Sequence, residues 1–421
     1  MRRRVAIVGA GWAGLAAAVA CTRKGHAVTL LETARVPGGR ARTLAADLPD
    51  GGTVLLDNGQ HILIGAYVET LKLMEEVGVR PADVLLRLPL TLLDPQGRGL
   101  VLPEWPAPLD AAAGILAARG WNARDKVSLM AAATHWQLAR FRCAEHLSVA
   151  DLTRSLTPRV NEELIEPLCV AALNTPAERS SAAVFLRVLR DGLFGRGHGG
   201  WGGSNLLIPR RELGALFPDA AQAWLEARGA EVRLGQRAQS LLPQGAGWRL
   251  DGEDFDAVIL AASAAEAVRL VEGSGVDARA WTGQAGALQF EPIATVYAHG
   301  GPALPLPMLA LRSGPAQFVF DRAQLGGPAG LLAFVASACS GDKDAIEREV
   351  LAQARELGWE LRPLRTVVEK RATFACVPGL RRPPAAIAPG LWACGDYVDG
   401  PYPATLEGAV RAALEVAARL D

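Results

Sequence analysis

The stretch from Arg4 to Glu32, RVAIVGAGWAGLAAAVACTRKGHAVTLLE, decides the fold. The apolar run Val5 to Val8 predicts a short central strand, Leu15 to Thr22 predicts an alanine-rich helix, and Ala27 to Leu31 predicts a second strand. A glycine-rich turn of the form G-x-G-x-x-G joins the first strand to the helix. A strand, this turn, a helix and a second strand in that order predict a Rossmann-like unit in a chain of the α/β class.

Three glycines in the turn have separate tasks. Gly9 permits the turn, Gly11 lets the backbone approach a pyrophosphate, and Gly14 lets the helix pack closely on the strand. The start of the helix presents unpaired N–H groups and the positive end of the helix dipole to phosphates, and Trp12 and Ala13 in the turn are predicted cofactor contacts. The pattern therefore predicts a dinucleotide site.

Residues that follow this unit select the dinucleotide. Glu32 ends the second strand, where a carboxylate accepts hydrogen bonds from an adenosine ribose, and up to this point NAD and FAD both fit. The segment PGGRART follows, and its Gly39 and Arg40 suit a second pyrophosphate contact, which favours FAD. Another glycine pattern, GSGVDA from Gly273, follows a helix-like stretch, so we expect no separate NADPH domain.

The end of the chain is predicted to return to the same site. Leu391 to Cys394 reads as a strand that ends in Gly395 and Asp396, and an amphipathic helix begins near Thr405 and Leu406. We expect Asp396 at the ribityl or pyrophosphate end of FAD. The start of the helix is expected at the flavin pyrimidine ring, where reduction builds negative charge.

The middle of the chain predicts the remaining organisation. Residues 229–263 read as a β-meander that lays Val232 along the adenine, residues 100–200 are helical, and residues 280–375 are strand-rich. We therefore predict a discontinuous Rossmann-like FAD-binding domain and an α+β substrate domain made of a helical lobe and a sheet. The predicted ranges are 1–75, 205–270 and 385–421 for the FAD-binding domain, and 76–204 and 271–384 for the substrate domain.

Composition limits the partners and the compartment. The 421 residues carry 44 basic and 44 acidic side chains, so there is no basic field for a nucleic acid. The six cysteines form no C-x-x-C pair, which fits a reduced cytoplasmic compartment, and the six histidines are too dispersed for a metal site. Tryptophans and basic residues between Pro103 and Met130 suit a helix lying on a membrane surface, here the inner membrane, and an ordinary amphipathic helix fits equally well.

Three long segments carry a more specific resemblance. They are LLDNGQHILIGAYVETLKLM from Leu55, EPLCVAALNTPAERSSAAVFLRVLRDGLFG from Glu166 and SNLLIPRRELGALFPDAAQAWLEARGAEVRLG from Ser204. The chain resembles the amine oxidase and phytoene desaturase group of flavoproteins throughout. Within that group it is similar to the squalene-associated FAD-dependent desaturases, also described as hydroxysqualene dehydroxylases of bacterial squalene and hopanoid synthesis. The resemblance implies FAD contacts at Gly9, Gly11, Gly14, Glu32, Gly39, Arg40, Gly59, Gln60, Gly395, Asp396, Thr405 and Glu407.

The resemblance also implies a reaction. Hydroxysqualene would lose its allylic hydroxyl as water, and a hydride from reduced FAD would convert the allylic cation to squalene, with electrons from an external donor. A proton for the leaving hydroxyl would come from His61, Asp399 or Tyr402. Two alternatives stay open: an oxidative polyprenoid desaturase or amine oxidase of the same fold, and a non-catalytic flavoprotein that presents squalene precursors to a synthase.

Overall fold

The computed structural model describes residues 2–48 and 51–420. The strands of this part of the chain are β1 (Arg4–Val8), β2 (Ala27–Glu32), β3 (Thr43–Asp47), β4 (Thr53–Asp57), β5 (Leu63–Ile64), β6 (Leu85–Leu88), β7 (Thr91–Leu93), β8 (Gly99–Val101), β9 (Leu206–Pro209), β10 (Glu231–Leu234), β11 (Leu241–Gln244), β12 (Gly247–Leu250), β13 (Glu253–Phe255), β14 (Ala257–Leu260), β15 (Phe290–His299), β16 (Met308–Ala310), β17 (Phe318–Asp321), β18 (Leu332–Ser337), β19 (Arg362–Phe374), β20 (Ala386–Ala388) and β21 (Leu391–Ala393). The α-helices are α1 (Trp12–Arg23), α2 (Val68–Glu76), α3 (Pro81–Val84), α4 (Leu109–Ala117), α5 (Ala123–Leu138), α6 (Val149–Leu152), α7 (Pro158–Val160), α8 (Glu166–Leu173), α9 (Ala182–Phe194), α10 (Leu213–Leu216), α11 (Pro218–Glu226), α12 (Ala264–Gly273), α13 (Arg279–Gly286), α14 (Lys343–Glu356) and α15 (Leu406–Ala418).

A six-stranded sheet holds the two ends of the chain together. Its order is β10-β2-β1-β14-β21-β20, and all neighbours are parallel except β20 and β21. Strand β1 is central and Val5 to Val8 are buried, as a parallel strand covered on both faces requires. Helices α1, α2, α11 and α15 share a buried cluster with one face of this sheet. The predicted strand, turn, helix and strand at the start of the chain are confirmed, with the helix beginning at Trp12.

The predicted β-meander is partly wrong. Only β11, β12 and β13 form an antiparallel sheet of their own, whereas β10 and β14 join the large parallel sheet. Strand β14 is buried along its whole length beside β1, and β10 forms the edge beside β2. An apolar run that is buried on both faces, like that of β14, is typical of a central parallel strand. The prediction that this run ends a meander is therefore wrong.

A second sheet forms the other large layer. Its five antiparallel strands have the order β16-β17-β18-β15-β19. Side chains alternate across it, so Val319 packs towards α14, while Phe318 and Phe320 face the helical lobe. Helices α4 to α9 form that lobe, which agrees with the helical composition expected between residues 100 and 200. The exact division into two domains stays a prediction.

Two further expectations concern single segments. Gly273 is the last residue of α12, so the second glycine pattern follows a helix, as expected. In the stretches 2–48 and 51–420, no helix has both the length and the apolar character needed to cross a membrane.

Candidate active site

The glycine-rich turn has little room for side chains. Gly9 has φ +105°, and a Cβ there would lie 2.8 Å from the carbonyl oxygen of Ala261. A Cβ on Gly14 would lie 1.7 Å from the carbonyl oxygen of Gly9, so this glycine fixes how closely α1 packs on the turn. At Gly11 the nearest atom to a Cβ is the Cα of Gly39, at 3.9 Å, so the space beside it is open.

A second glycine loop lies against the first. The Gly38 N–H donates to the carbonyl of Ala10 at 2.8 Å, and Gly39 has φ +61°. A Cβ on Gly39 would approach the Cα of Gly11 to 3.1 Å. Together the two loops make a wall of bare backbone. Helix α1 starts at this wall with no side-chain cap, which leaves N–H groups of its first turn for an anion.

Glu32 is held beside this wall by the backbone. Its carboxylate oxygens accept hydrogen bonds from the N–H groups of Ala10 at 2.7 Å and Ala34 at 2.8 Å. Each oxygen keeps a lone pair, so the carboxylate can still accept from a ribose hydroxyl in the cavity that it lines.

The C-terminal segment meets the glycine loop through an ion pair. An Arg40 guanidinium nitrogen lies 2.5 Å from Oδ1 of Asp396, and the other terminal nitrogen donates to the carbonyl of Ala372. Burial is the largest single effect and lowers the pKa of Arg40, but the charge and hydrogen bond of Asp396, with Glu369 and Tyr397, together raise it above its usual value. Asp396 follows Gly395, whose φ of +153° belongs to the region that favours glycine.

Helix α15 begins at the same place. Its N-cap residue, Thr405, accepts a hydrogen bond from the N–H of Gly408 at 2.9 Å and donates to the carbonyl of Tyr402 at 2.9 Å. This cap satisfies one N–H group of the first turn and leaves those of the first two helical residues available. Thr405 and Leu406 both line the cavity.

One continuous cavity of about 910 Å³ connects all of these elements, a size typical of cofactor and substrate sites. Most of the sequence-predicted FAD contacts line it. They are Gly9, Gly11, Trp12, Ala13, Glu32, Gly39, Arg40, Gly59, Gln60, Gly395, Asp396, Thr405 and Leu406. The structure thus brings the two ends of the chain to one cavity.

Three predicted contacts do not line the cavity. Gly14 instead lets α1 pack closely on Gly9, as described above. Val232 lies in the edge strand β10 opposite Leu30, and residues just past that strand, Gln236 and Arg237, line the cavity in its place. Ligands of parallel sheets bind at the carboxyl ends of strands, and this rule could have identified Gln236 and Arg237.

Glu407 is the third residue outside the cavity, and its carboxylate is fully buried against α2. It accepts hydrogen bonds from the backbone N–H of Glu69 at 3.1 Å and of Thr70 at 2.9 Å. It also accepts from the hydroxyl of Thr70 and pairs with Arg411 at 2.7 Å. Glu407 therefore caps the first turn of α2 and fastens it to α15.

The three proton-donor candidates occupy different environments. Asp399 does not line the cavity; its side chain is 73% exposed beside Arg382. His61 lines it, but Nδ1 lies 2.8 Å from the carbonyl oxygen of Gly59, and burial lowers its pKa. At neutral pH its one N–H therefore donates to Gly59, which leaves Nε2 as an acceptor.

Tyr402 is the third candidate. It lines the cavity, and its hydroxyl lies 3.0 Å from Oδ2 of Asp191, a residue of α9. Burial raises the pKa of Tyr402, and the Asp191 carboxylate adds to this effect, so the phenol is protonated at neutral pH. Asp191 was missed by the sequence analysis, since no local pattern marks it.

The part of the cavity beyond these residues is apolar. Helices α4, α5, α8 and α9 form one side of it, and strands β15, β17 and β18 form the other. Its large side chains include Leu129, Trp136, Leu168, Leu189, Phe318 and Phe320. We call this region the apolar lobe. A lobe of this composition suits a hydrocarbon and excludes water from it.

The residues present fit FAD. A backbone wall without side chains, an uncapped helix start and a carboxylate suited to ribose lie in one cavity, and the start of a second helix, α15, lines the same cavity. Among residues 2–48 and 51–420, no group of three His, Cys, Asp or Glu side chains is placed to hold a metal ion.

Comparison with known proteins agrees with this geometry. A model of the flavin containing amine oxidoreductase family matches residues 12–421, and this chain belongs to that family. It is an FAD-dependent oxidoreductase, with FAD as its cofactor, and the predicted fold class is confirmed.

Individual relatives narrow the similarity. The chain is 28% identical over 439 residues to the hydroxysqualene dehydroxylase of Rhodopseudomonas palustris, covering 98% of this chain and 96% of that protein. It is 27% identical over 436 residues to the protein of the same name from Zymomonas mobilis, covering 96% of each chain. The crystal structure of an oxidoreductase from Methanosarcina mazei has a TM-score of 0.75 at 18% identity, over 99% of this chain and 100% of that one. The expected similarity to hydroxysqualene dehydroxylases is confirmed.

Proposed function

We propose that this protein catalyses the reductive dehydroxylation of hydroxysqualene to squalene in bacterial squalene and hopanoid synthesis. The observation that carries the proposal is similarity to hydroxysqualene dehydroxylases over nearly the whole chain. The apolar lobe supports it, because a triterpenoid alcohol is hydrocarbon apart from one hydroxyl group. When bound, reduced FAD supplies the hydride that replaces the hydroxyl.

The residues that line the cavity divide into two groups in this proposal. The glycine loops and the start of α1 hold the pyrophosphate, Glu32 holds the ribose, and Arg40 and Asp396 hold the far side of the cofactor. The start of α15 stabilises negative charge on the flavin. The apolar lobe keeps the hydrocarbon chain dry, which favours hydride capture over capture by water.

Tyr402 is the proposed proton donor, because it lines the cavity and keeps its proton at neutral pH. The C–O bond of the alcohol breaks with its electron pair on oxygen, the oxygen takes the phenolic proton, and water leaves. The guanidinium of Arg411 lies 5.1 Å from the centre of the Tyr402 ring and compensates the phenolate until it regains a proton from solvent.

The electrons come from outside the chain in this proposal. The sequence holds one glycine pattern that follows a strand, and the pattern at Gly273 follows α12. A separate reductase or free reduced flavin is therefore the proposed donor.

We further propose that the protein takes its substrate from a membrane surface. Among the described residues, six of the nine exposed large hydrophobic side chains lie between Val101 and Leu138. Helices α4 and α5 carry Leu109, Leu116, Val127 and Leu138 on their exposed faces, while other residues of the same helices line the apolar lobe. One layer of helix thus separates the lobe from an apolar surface.

Charge on and between these helices fits an anionic lipid. Arg119 in the connecting loop and Arg124 on α5 are exposed, whereas the carboxylates of Asp110 and Asp125 are buried. An exposed apolar face flanked by cations is typical of helices that lie in a membrane interface. We call the exposed face of α4 and α5, with Trp105, the α4–α5 surface.

Product analysis tests the proposed reaction. Under anaerobic conditions, enzyme reduced with dithionite should convert hydroxysqualene to squalene, and oxidised enzyme should leave it unchanged. Introduction of double bonds into squalene by the oxidised enzyme, with no action on hydroxysqualene by the reduced enzyme, would establish the oxidative alternative. Absence of turnover with either substrate would establish the non-catalytic carrier.

A further inference from the structure

Asp191 and Tyr402 bring a polar pair into contact with the apolar lobe. They are 211 residues apart in the chain, both line the cavity, and Tyr402 donates to Oδ2 of Asp191 at 3.0 Å. Val188, Leu189 and Leu193, which also line the cavity, come from the same helix as Asp191. The pair therefore presents hydrogen-bonding atoms beside an otherwise hydrocarbon wall.

The pair is held in place from both sides. Nε of Arg190 donates to Oδ1 of Asp191 at 2.7 Å, and the guanidinium of Arg411 lies over the Tyr402 ring. The carbonyl of Tyr402 accepts from the N-cap Thr405, so the loop that carries the phenol is tied to the start of α15. These contacts fix the phenol and the carboxylate before a ligand arrives.

The other carboxylates that line the cavity have hydrogen-bond or ion-pair partners away from the apolar lobe. Glu266 accepts from Arg237 and Arg269, which lower its pKa to about 2, and Asp396 pairs with Arg40. Glu369 accepts from the side chain of Asn58 at 3.2 Å. Glu32 accepts from two backbone N–H groups at the glycine turn, and its remaining lone pairs are the ones assigned above to the ribose.

The side-chain amide of Asn174, which also lines the cavity, has hydrogen-bond partners as well. The side chain of Asn174 donates to the hydroxyl of Thr373 at 2.9 Å and accepts from the N–H of Ala338 at 2.7 Å. Asn174 therefore joins the helical lobe to the second sheet, and little hydrogen-bonding capacity is left for a ligand. Asp191 and Tyr402 keep free lone pairs, and the Tyr402 proton can turn to a new acceptor.

We propose that Asp191 and Tyr402 form the site that recognises the hydroxyl group of the substrate and sets which carbon faces the cofactor. The inference rests on the proposed function and names the residues that select an alcohol over the corresponding hydrocarbon. A hydroxyl oxygen beside the pair accepts from the Tyr402 phenol and donates to the Asp191 carboxylate. Both polar groups of the protein then stay paired, whereas squalene leaves them bonded only to each other.

In this arrangement Asp191 is a positioning residue. It holds the leaving oxygen within hydrogen-bond distance of the Tyr402 phenol, which is proposed to protonate that oxygen. A site built around a hydroxyl discriminates against a ligand without one, because the alcohol adds a hydrogen bond that the hydrocarbon cannot form. The chemical class is therefore a long apolar alcohol whose hydroxyl lies within the chain.

Binding to the oxidised, FAD-loaded enzyme tests the proposal without turnover. Affinities for hydroxysqualene and squalene in mixed micelles are read from the perturbation of the flavin spectrum. We expect the wild type to bind the alcohol about fivefold or more tightly, the worth of one or two hydrogen bonds. Tyr402→Phe and Asp191→Asn should abolish most of this preference, while squalene affinity and FAD content stay unchanged.

Asp399→Asn is the matched control, since it removes a carboxylate from the same loop but outside the cavity. It should keep the wild-type preference. Single-turnover squalene formation should fall about a hundredfold in Tyr402→Phe, as expected for loss of a general acid. In Asp191→Asn, the product should include isomers that received hydride at the other allylic carbon.

An unchanged binding preference in both variants would overturn the proposal, even if the wild type makes squalene. Loss of the preference in Tyr397→Phe alone would assign the hydroxyl to Tyr397, a buried phenol that also lines the cavity, and would also overturn the proposal. If the wild type binds the alcohol preferentially but forms no squalene, the proposed reaction fails and the recognition site stands.

Discussion

Arg40 and Asp396 form an ion pair with a 2.5 Å contact although 356 residues separate them in the sequence. Arg40 lies in the second glycine loop, and Asp396 follows the last strand of the parallel sheet. The pair joins the two ends of the chain at the wall of the cavity. Because both residues line it, the start and the end of the protein must fold together before the FAD site exists.

The first prediction concerns this pair. Asp396→Ala removes the carboxylate and leaves the Arg40 guanidinium without its partner at the cavity wall, so we expect a large loss of bound FAD. The flavin-to-protein absorbance ratio of purified protein measures it. Asp399→Ala, three residues away and outside the cavity, should retain wild-type FAD content. Equal FAD content in the two variants would contradict the assignment of Asp396.

The second prediction separates the glycines of the turn. The space beside Gly11 is open and its backbone conformation is an ordinary one, so the Gly11→Ala protein should fold. The added methyl group should obstruct the cofactor and lower FAD content. Gly14→Ala places its methyl group 1.7 Å from the Gly9 carbonyl oxygen and should lower the thermal stability of the fold itself. Gly273→Ala, at the other glycine pattern, meets no atom within 4 Å and should change neither property. Full FAD content in Gly11→Ala would show that the phosphates lie elsewhere.

The third prediction follows from Asp57, the last residue of β4, which is fully buried. Its Oδ1 accepts from the N–H of Leu213 at 2.8 Å, Oδ2 has no hydrogen-bond partner among residues 2–48 and 51–420, and burial raises its pKa to about 6. The folded state therefore holds this proton more tightly than the unfolded state, and its contribution to stability is lost as pH rises from about 4 to about 6. Arg322 opposes the shift and Glu212 adds to it.

Asp57→Asn keeps the acceptor for Leu213 and removes the titration. The free energy of unfolding of the wild type, relative to Asp57→Asn, should fall by ~3 kcal/mol between about pH 4 and pH 7. Urea unfolding of both FAD-loaded proteins at the two pH values measures the difference. Parallel stability curves across this range would contradict the buried, proton-holding state of Asp57.

The fourth prediction concerns the α4–α5 surface. Wild-type protein should float with vesicles that contain anionic lipid, and the double variant Leu116→Glu, Leu138→Glu should remain unbound because two carboxylates oppose both the apolar and the electrostatic attraction. Leu242→Glu changes an exposed leucine of β11 away from this surface and should float like the wild type. Equal flotation of the double variant and the control would place the membrane contact elsewhere.

Much of the fold could be predicted from local sequence. Gly9, Gly11 and Gly14 lie within one turn, so their spacing alone specifies the strand, the turn and the helix. The start of the last helix near Thr405 was equally local, and Thr405 is found as the N-cap of α15. The pairing of β10 with β2 was missed because a short edge strand has no pattern that names its partner.

The site was harder to predict where distant segments meet. Glu407 occupies the first turn of α15, where a flavin contact and a cap for another helix look alike in sequence, and its partners on α2 are more than 300 residues earlier. Asp191 and Tyr402 come from a helix and a loop that only the tertiary fold brings together. Neither segment alone carries a sequence pattern that marks Asp191 as an acceptor or Tyr402 as a donor.

The proposed reaction oxidises one reduced flavin for each substrate molecule reduced. The ratio of oxidised flavin to squalene in a single turnover therefore tests it. Enzyme reduced with a limiting amount of dithionite is mixed anaerobically with an excess of hydroxysqualene, and both the oxidised flavin and the squalene formed are measured. We predict that flavin becomes oxidised and that one squalene appears for each flavin oxidised. Flavin that stays reduced in the presence of hydroxysqualene, with no squalene formed, would contradict the proposed function.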